Sequence, residues 1–224
     1  MEALMQKKTL VDQAYEALLE AICNGDIRPG ERLNQDELAE KLNVSRQPVN
    51  SAIAMLKAQR FVRDTGKRGV VVAPIDQTLF DSIYQLRTVV EPLAVQLATV
   101  RMTNQAISIG REIIARGKGH VQSGDHSAAL SADIDFHNLI YSLSGNIIIA
   151  DTMNLNWRHL QRAMSRVLSV PGATLRVWQE HEQIFSAMAR GEADSAARLM
   201  REHMEHAAPR SLRFTQPEEV RDRD

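Results

Sequence analysis

Four side chains in the second half of the sequence have the types and the spacing of metal ligands. Asp133 and His137 are four residues apart in a segment predicted to be helical, so they share one helix face, about 6 Å apart along the axis. His181 and His203 follow in two further predicted helices. One carboxylate and three imidazoles suit a divalent ion such as Zn²⁺ or Ni²⁺, without selecting between them.

The segment between the last two histidines supports their convergence. His181 is 10 residues before Gly191, and His203 is 12 residues after it. A turn at this glycine would let the two predicted helices run antiparallel. We therefore expect the two imidazoles to lie at a similar height along the helix pair.

Three other residues compete for a place in this predicted site. Asp135 is offset by two residues from His137 and should point elsewhere on the helix, so we do not expect it to be the carboxylate. His206 is three residues beyond His203 on the same predicted helix, and His159 could enter from a neighbouring helix. We favour His203.

Two arginines are candidates for binding an acidic ligand at such a site. Arg87 is four residues before Glu91 and could instead form an ion pair along its own helix. Arg162 could equally be solvated. A metal ion with an open coordination position can also activate water for hydrolysis, but the sequence shows no general base paired with the site. Ligand sensing and hydrolysis therefore both remain open at this point.

A second group of candidates is basic and lies in the first third of the chain. The whole sequence has a formal net charge of −1. Residues 41–74, however, carry seven basic side chains and one acidic side chain, about +6 in total, whereas residues 1–40 carry four basic and nine acidic. Such a local excess of positive charge is typical of a nucleic-acid-binding surface.

The start of one predicted helix carries side chains that could contact bases. Arginine can donate two hydrogen bonds to guanine, and glutamine can pair with adenine. Ser45, Arg46 and Gln47 occupy this end, and Asn50 lies on the outer face of the same helix. Lys67 and Arg68, at the tip of a predicted hairpin, could reach phosphates or the minor groove.

Periodicity indicates which elements position these basic residues. Apolar residues at helical spacing predict helices over residues 10–24, within QDELAEKLNV, and from about Arg46 to Gln59. Two β-rich runs, FVRDT and GVVVA, predict a two-stranded hairpin. Three helices followed by a basic hairpin are typical of a winged helix-turn-helix.

The rest of the chain is predicted to be entirely helical. From residue 76 onward β-rich runs disappear, and breaks at turn residues separate six predicted helices. They span roughly 76–101, 104–120, 126–144, 146–169, 173–190 and 194–208. We therefore expect a mainly α chain with a winged helix-turn-helix in residues 1–75, carrying a two-stranded hairpin wing, an all-α six-helix bundle in 76–208, and a polar tail in 209–224.

Composition limits the class of protein. The 224 residues are 44% hydrophobic and 25% charged, an ordinary globular balance. The single cysteine, Cys23, cannot form an intramolecular disulfide, and the first residues lack the pattern of a signal peptide. No segment has the roughly 20 uninterrupted apolar residues of a membrane span. These features predict a cytoplasmic protein without a membrane partner.

The same residues resemble a known family of transcriptional regulators. The stretch LNQDELAEKLNVSRQPVNSAIAMLKAQRFV, followed by RGVVVA, resembles the DNA-binding domain of the GntR family. RTVVEPLAVQLA, DIDFHNLIYSLSGN and EHEQIFSAMARGEADSAARLMREH resemble its FadR-like branch, whose C-terminal effector domain is called FCD. The resemblance covers about residues 8–206. It implies that Ser45, Arg46 and Gln47 begin the recognition helix and that Gly69 belongs to the wing.

Two positions depart from the family pattern. Asn50 stands where the family usually has an arginine in the recognition helix, so the family's usual operator sequence need not apply to this chain. Arg60 stands where the family usually has a glycine, and it could place an extra cation near the DNA backbone. Neither departure threatens the predicted fold.

The resemblance also implies a function for the metal-ligand pattern. The order Asp133, His137, His181, His203 matches that of metal-dependent FCD domains, which generally sense small organic acids. We therefore expect a regulator, not an enzyme, whose homodimer binds an inverted-repeat operator. A small organic acid bound at the metal would control operator affinity. The alternatives are a regulator that responds to the metal itself and, with less support, a helical-bundle metalloenzyme.

Overall fold

The computed structural model describes residues 8–66, 69–167 and 173–212. The chain divides into two compact units, the first ending at Asp76 and the second beginning at Gln77. In the first unit the elements are α1 (Leu10–Asn24), α2 (Gln35–Lys41), α3 (Arg46–Ala58), β1 (Val62–Thr65) and β2 (Gly69–Val72). This order confirms the predicted winged helix-turn-helix with its two-stranded wing.

Local capping fixes both ends of α1. The Thr9 hydroxyl accepts a hydrogen bond from the Asp12 backbone N–H at 3.1 Å, and the Asp12 carboxylate accepts one from the Thr9 backbone. Gly25 ends the helix in the left-handed conformation, with φ of 86°, which costs a glycine little. The predicted helix over residues 10–24 therefore has the predicted bounds.

The wing has a third segment beside it, for which the sequence predicted no strand. β1 and β2 pair antiparallel, with Val62 opposite Val72. Arg32 forms an isolated bridge to Val71, and the Leu33 N–H donates to the Val70 carbonyl at 2.9 Å. The segment before α2 is thereby fixed along the open edge of β2.

The second unit consists of helices throughout its described part. They are α4 (Gln77–Thr99), α5 (Asn104–Ser123), α6 (His126–Ser144), α7 (Ile147–Val167), α8 (Ala173–Ala189) and α9 (Ala193–Leu212). The six predicted helices are all present, in the predicted order. The last helix continues four residues beyond the predicted end at 208, and residues 213–224 of the predicted tail lie outside the described residues. None of the described helices is long and apolar enough to cross a membrane.

Two glycines set the distance between α5 and α8. A Cβ atom on Gly117 would lie 2.1 Å from the Trp178 ring, and one on Gly110 would lie 2.0 Å from the Phe185 ring. Both approaches are far shorter than van der Waals contact, so only glycine permits this packing. Trp178 in turn meets His181 edge-on, with ring centroids 5.0 Å apart. Close packing of α5 and α8 thus helps to position a predicted metal ligand.

Candidate metal centre

Three buried imidazoles from three helices converge in the second unit. His137 lies on α6, His181 on α8 and His203 on α9. One ring nitrogen from each lies within 4.8 Å of the others. The Nε2 atoms of His181 and His203 are 3.1 Å apart. Three of the four predicted ligands therefore form one cluster.

The predicted carboxylate ligand lies beside this cluster. Asp133 is one turn before His137 on α6, and its Oδ1 is 3.5 Å from His181 Nε2. The group of ligand atoms that all lie within 4.8 Å of one another contains the three imidazoles and not Asp133. Asp135, which we did not expect to be the carboxylate, pairs with Arg116.

The two competing histidines lie in different surroundings. The His206 side chain is 46% exposed, and its Nδ1 is 3.2 Å from Glu180 Oε1. His159 is half-buried on α7. Neither belongs to the group of three mutually close imidazoles, which contains His203.

Two buried partners select the tautomer of His137. Its Nδ1 is 2.9 Å from Glu91 Oε2, and its Nε2 is 3.2 Å from an Arg87 NH2 nitrogen. An ionised carboxylate can only accept a hydrogen bond, and a guanidinium can only donate one. Nδ1 therefore carries the proton, and the lone pair of Nε2 faces the cluster.

The ionised state of Glu91 follows from its surroundings. Burial alone would raise the pKa of this carboxyl, but its contacts with His137 and Arg87 outweigh burial and hold the pKa at about 2. Arg87 Nε donates to Glu91 Oε1 at 2.9 Å, and the Tyr141 hydroxyl donates to the same oxygen at 2.5 Å. The carboxylate is thus charged, buried and fully engaged.

A second carboxylate holds His203 in the same manner. Glu180 Oε2 is 2.7 Å from His203 Nδ1, while Glu180 Oε1 contacts His206. This contact again leaves Nε2 as the nitrogen that faces the cluster. His181 differs, because its buried Nδ1 has no hydrogen-bond partner among the described residues.

Burial keeps two of the imidazoles neutral. The pKa of His181 is well below its usual range, first because the ring is buried and then because His203 lies close to it. Burial also lowers the pKa of His203, although the hydrogen bond to Glu180 opposes this effect. Neutral imidazole is the form that binds a metal ion. The cluster therefore fits a divalent cation in charge as well as in spacing.

Glu91 and Glu180 were not among the residues predicted from the sequence. Carboxylates that accept a hydrogen bond from a metal-ligating histidine are usual in metalloproteins, where they orient the ring and raise its basicity. Glu91 was noted only as an ion-pair partner of Arg87, and Glu180 adjoins His181 but contacts His203. Neither contact leaves a signal in sequence spacing, because each joins two helices.

The two candidate effector arginines are both buried. Arg87 has 2% of its surface exposed, and its guanidinium lies 4.4 Å from the centre of the Trp157 ring. Its NH2 contact with His137 brings it to the cluster. Arg162 is buried on α7. The alternative of a solvated Arg162 is therefore wrong, whereas the alternative ion pair between Arg87 and Glu91 is present.

The predicted DNA-contacting residues of α3 are exposed. Ser45, Arg46, Gln47 and Asn50 all face solvent at the beginning of this helix. Ser45 is the N-cap residue by position, but its side chain makes no capping hydrogen bond. Arg46 Nε is 3.0 Å from the carboxylate of Asp36 on α2. Lys67 and Arg68 lie outside the described residues.

Gly69 begins β2 at a crowded position. A Cβ atom there would lie 3.0 Å from Thr65 Oγ1 and 3.3 Å from Arg32 Nε. Arg32, Arg46 and Gly69 line one groove of about 520 Å³. Arg32 was not predicted from the sequence, because only its bridge to β2 places it beside this groove. It adds a cation beside the predicted recognition helix.

Arg60 occupies a conformation that favours glycine. Its φ is 64°, in the left-handed region, which is unfavourable for a residue with a Cβ atom. This geometry gives a physical reason why glycine is usual in the resembling family. Arginine at this position therefore carries a local backbone strain that glycine would avoid.

Each of the two units matches a known protein family. Residues 10–72 match the profile described as "Bacterial regulatory proteins, gntR family", and residues 82–206 match the FCD domain. The Nta operon transcriptional regulator of Aminobacter aminovorans is 32% identical over 186 residues, covering 80% of this chain and 83% of that protein.

Solved structures share the fold. E. coli McbR/YncC superposes with a TM-score of 0.80 at 20% identity, covering 92% of this chain and 99% of that one. A GntR structure from Rhodococcus sp. RHA1 superposes with a TM-score of 0.75 at 24% identity, covering 90% of this chain and 97% of that one. At these identities the likeness concerns the fold alone.

Proposed function

Because this chain belongs to the GntR family of bacterial regulatory proteins and carries an FCD domain, we propose that its operator binding is controlled through a metal centre. It is a transcriptional regulator, and its GntR domain implies DNA binding. The proposal is that a homodimer binds an inverted-repeat operator and that a small organic acid, bound at a divalent ion, changes operator affinity. Zn²⁺ and Ni²⁺ are the ions that the ligands suit best.

The observation that carries this proposal is the buried cluster of three imidazoles with two outer carboxylates. A buried imidazole cluster has no evident structural purpose, since apolar side chains would fill the same space without the free-energy cost of burying polar groups. Glu91 and Glu180 orient His137 and His203 so that both present Nε2. Asp133 supplies a nearby oxygen. We assign the ion to Asp133, His137, His181 and His203.

The charge of this centre favours an anionic ligand. Three neutral imidazoles and one carboxylate leave a divalent ion with net positive charge, and a six-coordinate ion keeps about two positions for ligand oxygens. Arg87, whose charge is paired with Glu91, brings a guanidinium N–H donor to the cluster. A chelating organic acid is therefore favoured over a neutral molecule.

Arg87 is placed to bind such an acid. The single lone pair of His137 Nε2 can serve either the Arg87 N–H or a metal ion, but not both. With the lone pair engaged by metal, the Arg87 N–H needs another acceptor, and a carboxylate oxygen is a suitable one. Arg162, also buried in this unit, remains the second candidate.

An operator-binding titration tests this control. We expect an organic acid found by thermal-shift screening to change operator affinity about 5- to 150-fold, the range of typical coupling energies. The effect should disappear in chelator-treated protein and return when metal is restored. By linkage, operator DNA should change acid affinity by the same factor.

Other outcomes of this titration separate the alternatives. A response to metal without any acid would favour a metal-responsive regulator. An acid that binds and changes operator affinity equally well in metal-free protein would make the metal structural and contradict the proposal. The gntR profile match and the similarity to the Nta operon transcriptional regulator favour a regulator, whether it responds to an acid or to the metal, over a metalloenzyme.

Glu180 provides a sharper test of how the centre is built. Replacing it with alanine should weaken metal binding about 10- to 100-fold, the usual effect of losing such an outer carboxylate. Glu180→Gln should have a smaller effect, because a glutamine oxygen can still accept from His203 Nδ1. Affinity is measured by competition with a chromophoric chelator. Glu192→Gln, which alters a carboxylate paired with Arg190, is the matched control, and an equal loss in this control would contradict the assignment.

A further inference from the structure

A groove of about 520 Å³ lies between α5 and α8 in the second unit. Its floor is formed by Ile114 and Phe185, which are both buried. The Phe185 ring lies against the backbone of Gly110 and packs on Phe136, with ring centroids 6.4 Å apart. Close packing therefore fixes the floor, so the fold itself sets the shape of the groove.

The two walls of this groove run antiparallel, as the order of the two glycine contacts along α5 and α8 shows. Lys118 Nζ on α5 is 2.7 Å from Glu182 Oε2 on α8. Arg111 is seven residues before Lys118. Seven residues after Glu182, α8 reaches Ala189, where it ends. Arg111 and the end of α8 therefore border one end of the groove, and the Lys118–Glu182 pair closes the other, roughly 10 Å away.

The groove is positively charged at its Arg111 end. Three of its charged lining residues are basic and one is acidic. The acidic residue, Glu182, is held by Lys118 at the far end. Arg190 holds Glu192 through two nitrogens, at 2.7 and 2.8 Å. Arg111 is exposed, and its side chain has no ion pair or hydrogen bond within the described ranges. Its guanidinium can therefore bind an anion without breaking an existing contact.

We propose that this groove binds a small amphipathic carboxylate, whose anionic head lies at Arg111 and whose apolar body lies over Ile114 and Phe185. A guanidinium without an acidic partner favours an anion, and a carboxylate can accept two parallel hydrogen bonds from it. An apolar floor favours an apolar body beyond that group. No lining residue belongs to the metal cluster, so the inference goes beyond the proposed function.

The dimensions of the groove limit the size of this ligand. Its volume lies within the range of roughly 300–1,000 Å³ that is usual for small-molecule sites. Ala115 and Ala189 give the two walls short side chains, which leave room above the floor. A protein segment that passed through the groove would have to break the Lys118–Glu182 ion pair. A phenyl ring with a short carboxylate chain fits the distance of roughly 10 Å between the two ends.

Calorimetric titration with 4-phenylbutyrate tests the chemistry of the site. We expect saturable binding of one molecule per chain, with the same affinity in metal-loaded and chelator-treated protein. Butyrate, which lacks the ring, and 4-phenylbutan-1-ol, which lacks the charge, should each bind about tenfold more weakly or worse. Equal affinity for the alcohol would overturn the inference, and so would binding that requires the metal. If chelator-treated protein does not stay folded, the groove variants in metal-loaded protein decide.

Two variants locate the binding in the groove. Arg111→Ala should weaken 4-phenylbutyrate binding about tenfold, and Ala115→Leu, which fills the groove, should abolish it. Both positions are exposed, so circular dichroism and metal content should stay unchanged. Arg201→Ala, which removes an exposed arginine of α9 outside the groove, is the matched control and should bind as the wild type does. Undiminished binding in either folded variant would overturn the inference. A change in oligomeric mass in Ala115→Leu, with binding retained, would assign the groove to a second copy of the chain instead.

Discussion

Replacing His137 and His181 together with alanine should abolish stoichiometric metal binding. Wild-type protein should hold one divalent ion per chain, and the double variant close to none. The two residues supply two of the three mutually close ring nitrogens. The remaining His203 and Asp133 cannot hold an ion tightly by themselves. Elemental analysis of purified, dialysed protein measures the result.

Metal should also stabilise the wild type but not the double variant. The proposed ligands come from α6, α8 and α9, so an ion bound there joins three helices of the folded state. At a free metal concentration 100 times the dissociation constant, mass action adds about 2.7 kcal/mol to the free energy of unfolding. The melting temperature of the wild type should rise by several degrees, whereas that of the double variant should not change.

His206→Ala is the matched control for this pair. It removes a histidine three residues from His203 that contacts Glu180 but lies outside the cluster. We expect this variant to keep one ion per chain. Should burial make the alanine pair unfold, the His137→Gln/His181→Gln pair retains more volume. Full metal content in either folded double variant would refute the assigned site.

The cluster was predictable because its signals are local or follow from helix geometry. The spacing of Asp133 and His137 places them on one face of α6, and Gly191, with φ of 76°, makes the turn between α8 and α9. His181 and His203 are consequently side by side. Periodicity and turn residues also predicted the order of the helices and the wing.

The parts that sequence reasoning missed are contacts between distant segments. Glu91 is 46 residues from His137, and Arg32 is 39 residues from its bridge partner Val71. Neither pair has a spacing that indicates contact, since tertiary packing alone brings the partners together. For Arg162 the sequence left ligand binding and solvation equally open, since an arginine in a helix is usually exposed, and only tertiary packing buries it.

Arg46→Ala should weaken operator binding about 5- to 150-fold, equivalent to 1–3 kcal/mol if the side chain reads a base. Arg46 is exposed at the first position of α3 and lines a groove with Arg32 and Gly69. A side chain that reads a base gives discrimination, so the variant should also lose preference at one operator position. Fluorescence anisotropy with an operator and single-base variants, at several salt concentrations, measures both effects.

Asp36→Asn separates a DNA contact from a structural role for Arg46. The two side chains form an ion pair but are 65% and 61% exposed, so the pair contributes little to stability. If Arg46 acts only through Asp36, both variants should weaken operator binding alike. If Arg46 contacts DNA, Asp36→Asn should leave binding intact or strengthen it, because it removes a negative charge beside the groove and frees the guanidinium. Unchanged binding by Arg46→Ala at every salt concentration would refute the assignment of Arg46 as a DNA contact.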